Sequence, residues 1–139
     1  MHNTLPKDVE EEMMRLQLRM QLLEAHEKST NNFLDFCRYV WPEMLVGEHH
    51  RIIAKALDRV VSGECKRLMI AMPPRHGKSQ MGSYLFPAYL MGKKPDAKLI
   101  VGSHTADLAQ RFGRMIRNLV DDEKYKELFP GMQLSLIHI

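Results

Sequence analysis

Apolar positions recur with a helical period over the first half of the chain and give way to unbroken apolar runs in the second. Val9, Met13, Leu16, Met20 and Leu23 follow at spacings of four and three, so residues 6 to 28 are expected to be a helix with one apolar stripe. Pro6 suits a first helical turn, and Glu10, Glu11 and Glu12 suit the positive end of its dipole. The polar break at Ser29 to Asn32 offers several N-caps, and Phe33 to Val40 reads as a short apolar helix stopped by Pro42. Residues 48 to 62 place Ile52, Ile53, Ala56, Leu57, Val60 and Val61 on one face, with Gly63 in the position of a C-terminal glycine.

The period then changes. Arg67 to Met72 and Lys98 to Ser103 are short, nearly continuous apolar runs of the kind found in strands buried on both faces of a parallel sheet. Helices are expected at 78 to 91, with a kink or early end at Pro87, at 105 to 120, and as a short turn at 123 to 128. Strands alternating with helices predict an α/β fold with right-handed crossovers. Two parallel strands bury too little surface for a whole domain, so the sheet is expected to be incomplete in this chain.

The 139 residues are 45% hydrophobic and 27% charged, which excludes wholesale disorder. The chain's net charge is +3; the first 32 residues hold four basic and six acidic side chains, so the rest carries +5. That excess is compatible with nucleic acid and too weak to argue for it. Cys37 and Cys65 lack metal-ligand spacing and read as reduced thiols of a cytosolic protein. No signal peptide and no membrane-spanning run is read.

The chemistry concentrates between the two apolar runs, in Met72-Pro73-Pro74-Arg75-His76-Gly77-Lys78-Ser79. Binding a nucleoside triphosphate needs converging backbone N–H groups, and a tight turn at Gly77 provides them without a side chain in the way. Lys78 would neutralise the outer phosphates, and the Ser79 hydroxyl would ligate Mg2+. Arg75 either reaches the terminal phosphate or anchors the loop through an ion pair. His76 either lines the loop or faces solvent, while Pro73 and Pro74 stiffen the approach. Met72 stands where the usual phosphate-loop pattern has its first glycine.

From Phe33 to Pro130 the chain resembles the large terminase subunit of tailed bacteriophages. The resemblance is carried by Trp41-Pro42, Glu48-His49-His50, the Arg67-to-Ser79 run, Phe86-Pro87-Ala88-Tyr89, Ser103-His104 and Leu128-Phe129-Pro130. It implies a partial P-loop NTPase of the additional-strand ATPase type, behind N-terminal helices. It also implies a motor subunit that hydrolyses ATP and drives double-stranded DNA into a procapsid, with a nuclease domain downstream. Lys78 and Arg75 are the implied catalytic residues. Pro74, Arg75, His76, Gly77, Lys78 and Ser79 are the implied ATP contacts, with Ser79 on Mg2+. The segment Trp41 to His50 occupies the place of the family's adenine-contacting region.

The implied partners are DNA, the portal protein, the small terminase subunit and further copies in a homo-oligomeric ring. The implied location is the host cytoplasm, with transient docking on the procapsid. On this reading residues 1–32 are a partner-binding segment and 33–133 the front of the ATPase domain. The tail 134–139 resembles a sequencing-adapter reading frame and is expected to be non-native. Asp121-Asp122-Glu123 follows a helix, not an apolar strand, so no Walker B acid is identified and the chain alone should turn ATP over poorly. The alternatives are another loop-containing ATPase, such as a helicase or recombination enzyme, and an inactive remnant that only binds a partner. Arg111, Arg114 and Arg117 either contact DNA phosphates or form a solvated face.

Overall fold

The computed structural model describes residues 6–132, and the expectation for residues 134–139 lies outside them. Six α-helices follow in order: α1 (Lys7–Asn31), α2 (Phe33–Val40), α3 (Glu48–Ser62), α4 (Phe86–Lys93), α5 (Ala106–Asp121) and α6 (Glu123–Leu128). A π-helical segment, Gln80–Leu85, leads into α4. Local chemistry sets the boundaries. The Asn32 side chain accepts the N–H groups of Leu34 and Asp35 and starts α2. Gly63 closes α3 in the left-handed region, at φ 84°. The Thr105 hydroxyl accepts the Leu108 N–H and starts α5.

The expected α/β fold is wrong: among the described residues there is no strand and no sheet, and the domain is all-helical. Both apolar runs lie outside the helices without forming a strand. Met69 is 92% exposed and Ile100 98% exposed. A strand is stable only inside a ladder, and neither run pairs with a neighbour here. An apolar run of six residues does not by itself distinguish a buried strand from an uncovered connector.

The core is helical and aromatic instead. Phe33 and Phe36 of α2, Tyr89 of α4, Tyr125 of α6 and the following Phe129 are all buried. Most of their rings meet at tilted or edge-on angles, Phe36 to Tyr89 at 5.1 Å between centroids and Tyr125 to Phe129 at 5.1 Å, while Phe33 and Phe36 stack. Each buried tyrosine satisfies its hydroxyl: Tyr125 donates to the Ala88 carbonyl at 2.6 Å and Tyr89 to the Thr30 carbonyl at 3.2 Å. Burial raises both phenols far above their usual range, with the Asp58 and Cys37 charges adding to the effect at Tyr89.

Helix α1 joins this body only near its C-terminal end. His26 meets the Tyr39 hydroxyl at 2.8 Å, and the Ser29 side chain is buried. The stripe Val9, Met13, Leu16, Met20 and Leu23 stays exposed. No described helix is long and apolar enough to cross a membrane.

Pro87 does not end its helix. It brings no N–H to the ladder, and the turn ahead of it is wound one residue wider, with the Phe86 N–H reaching the Met81 carbonyl. The helix then continues to Lys93. The wide turn begins directly after Ser79, so the phosphate-loop sequence feeds into a π-helical turn.

Candidate functional site

The loop before that turn changes hand at alternate residues. Arg75 has φ 66° and Gly77 φ 79°; they are the only described residues between Gly63 and Gly131 with positive φ. His76 therefore lies in the negative region between them, and Lys78 begins the helical turn. Successive residues of alternating hand fold their N–H groups toward one side, the arrangement that makes an anion-binding concavity. Among the described residues, no N–H from His76 to Ser79 donates to a backbone or side-chain acceptor. These donors stand at the start of a helix, where unpaired N–H groups and the dipole favour an anion.

Two anchors fix the loop. From below, the Met81 N–H donates to the Gly77 carbonyl at 3.0 Å, and the Met81 side chain is fully buried in the core. From the side, the imidazole of His50 in α3 lies against Gly77. A Cβ added at Gly77 would sit 3.0 Å from His50 Nε2. Glycine is required there twice over, for its positive φ and for the ring beside it.

His50 is held by its other nitrogen. The Gly47 N–H donates to His50 Nδ1 at 2.9 Å, so Nδ1 carries no hydrogen and the neutral ring bears its proton on Nε2, toward the loop. This is the back-bond of a capping box, with His50 in the third position of α3. Burial lowers the His50 pKa, as does the nearby charge of His49 and, to a smaller degree, that of His76; the His76 backbone opposes them. The three imidazoles cluster, His49 to His50 at 3.9 Å and His49 to His76 at 5.8 Å between centroids. No group of described residues has the arrangement to hold a metal ion, this trio included.

A cavity of about 410 Å3 opens beside the loop, lined by Trp41, Glu43, Met44, His49, His50, Arg75, His76 and Gln80 among others. The segment Trp41 to His50 and the loop thus face a common space. Each expected site residue has a definite place. Pro74 accepts His76 Nδ1 at its carbonyl, 2.9 Å away, so the His76 ring folds back on its own loop. Arg75 is exposed and makes no ion pair among the described residues. Lys78 and Ser79 are exposed at the start of the turn. A polyphosphate fits this chemistry: N–H groups and two cations unpaired among the described residues, and a hydroxyl, all within six consecutive positions.

Sequence reasoning placed His50 only in the Glu48-His49-His50 string and the Trp41-to-His50 segment, not against the phosphate loop. The available signal was Gly47 three residues ahead of a side-chain acceptor, at the start of an amphipathic helix. The acidic run at 121 to 123 has structural work. Asp122 caps α6 by accepting the Lys124 N–H at 2.9 Å, and Asp121 pairs with Lys126 at 2.8 Å. No protein family, curated protein or solved structure matches this chain.

Proposed function

We propose that the loop Pro74 to Ser79 grips the phosphates of ATP with Mg2+, and that the chain serves as the nucleotide-binding part of an ATPase that packages phage DNA. The observation that carries the reading is the alternation of hand at Arg75, His76 and Gly77, ahead of unpaired N–H groups. The grip uses the loop's own backbone and needs no sheet beneath it.

Bound ATP would supply the scissile anhydride, and its Mg2+ would neutralise the phosphate charge. The amides of His76 to Ser79 would orient the phosphate chain. Lys78 would place its ammonium on the outer phosphates, and the Ser79 hydroxyl would face the cation. Arg75, free of acidic partners, would reach charge that develops on the terminal phosphate. The cavity beside Trp41 and His49 gives the base a place next to the loop.

The packaging role draws on the resemblance of the Arg67-to-Ser79 run and its flanks to the terminase large subunit. Exposed Arg111 and Arg114 on α5 support contact with DNA phosphates, and the uncovered stripe of α1 supports docking by a small terminase subunit. The portal protein, a ring of further copies and transient residence on a procapsid in the host cytoplasm complete the proposal.

A fluorescent ATP analogue titrated into the chain with Mg2+ tests it. Saturable binding that is lost in Lys78→Ala is expected. Binding that survives Lys78→Ala unchanged, or no binding at all, rejects the phosphate grip.

A further inference from the structure

We propose that His50 is a positioning residue for the phosphate loop, its ring tying the start of α3 to the backbone at His76 and Gly77 so that the loop's amides stay convergent. The importance of that convergence rests on the phosphate-grip reading; the tie itself rests on geometry alone.

Three observations carry it. His50 Nδ1 is committed to the Gly47 N–H at 2.9 Å, which fixes the ring and leaves Nε2–H as the free donor. That Nε2 edge lies where a Gly77 side chain would be, 3.0 Å from an ideal Cβ. The loop backbone it faces is the segment with φ of alternating sign, a conformation that persists only when its surroundings enforce it. Below the loop, Met81 holds the Gly77 carbonyl. His50 is the side chain that an added Gly77 Cβ would meet, so it is the α3 residue packed closest on the loop at that point.

The arrangement joins two functions in one imidazole. One nitrogen caps a helix, and the other steadies a loop about 27 positions further along the sequence. Substitution separates them. Glutamate at the third helical position caps as well as histidine but offers no N–H, and it sets a carboxylate beside an anion site. Glutamine caps and keeps a donor.

The test is amide hydrogen exchange on the whole chain, with analogue binding measured in parallel. His50→Glu should speed exchange about tenfold at Met81, whose N–H donates to the Gly77 carbonyl at 3.0 Å, with α3 amides unchanged, because the ring that braces Gly77 is gone. It should also weaken analogue binding. His50→Gln should restore native exchange at Met81. Acid is a second arm. Protonating Nδ1 breaks the Gly47 bond, so Met81 exchange in the native chain, corrected for its intrinsic pH dependence, should rise as His50 titrates. In His50→Gln that rise should be absent, although His49, His76, Arg75 and Glu43, which line the same cavity, are all retained.

Native exchange at Met81 in His50→Glu would overturn the assignment, as would identical pH profiles in the native chain and His50→Gln. Faster exchange in His50→Glu in a chain that binds no analogue supports the tie and counts only against the phosphate grip.

Discussion

Replacing Gly77 by alanine perturbs the loop in two separable ways. At φ 79° a Cβ meets the backbone, a conflict worth about 1–2 kcal/mol for an L-residue in the left-handed region. The same Cβ would lie 3.0 Å from His50 Nε2, so the ring must give by a few tenths of an ångström. That movement loosens the Gly47 bond to Nδ1, a further cost of about 1 kcal/mol. Gly63 provides the control. Its φ of 84° is nearly the same, and a Cβ there would meet nothing within 4 Å. Gly63→Ala should therefore cost only the backbone part, about 1–2 kcal/mol, and Gly77→Ala about 1 kcal/mol more. Urea unfolding followed by circular dichroism measures both, and a double-mutant cycle of Gly77→Ala with His50→Ala isolates the contact. Equal costs for the two glycines, with no coupling to His50, would refute the claim that the ring braces the loop.

Two further outcomes concern the body that carries the loop. Tyr125→Phe removes the 2.6 Å bond to the Ala88 carbonyl and should lower unfolding stability by about 1 kcal/mol. Tyr39→Phe, at the rim against Glu127, should change it by less than about 0.5 kcal/mol in the same urea titration. Asp58 accepts the Phe33 N–H at 3.1 Å, yet burial raises its carboxyl above the usual range, with Asp35 adding and Lys93 opposing. A carboxyl raised on folding favours its protonated form in the fold. Stability therefore falls as pH rises from the ordinary carboxylate value through the raised one. Asp58→Asn keeps the acceptor and loses the charge, so its melting temperature should match the native chain below that window and exceed it above, as thermal melts across the window will show.

Several helix ends were legible because residues with capping chemistry mark them. Asn32, Thr105 and Gly63 cap where their types predict, and the stripe expected for α3 is met in part: Ile53 and Leu57 are buried, while Ile52 is exposed and Ala54 is buried in its place. The sheet was misread because Arg67 to Met72 and Lys98 to Ser103 carry only the composition of strands. A ladder is a non-local property, and six apolar residues carry no information about whether a partner lies alongside. The loop residues were legible as a string, since Gly77, Lys78 and Ser79 match a chemical need in order. Their support was not, because His50 reaches Gly77 only through the packing of α3 beside the loop. The π-helical turn was partly visible in Pro87, which announces a disturbed ladder but not how it is relieved.

The convergence of the loop amides is read most directly by two-dimensional amide NMR of the 15N-labelled chain during titration with Mg-ATP. Saturable shifts centred on His76, Gly77, Lys78 and Ser79, abolished in Lys78→Ala, are the predicted result. Shifts scattered over the surface without saturation, or a loop whose signals stay fixed while others move, would contradict it.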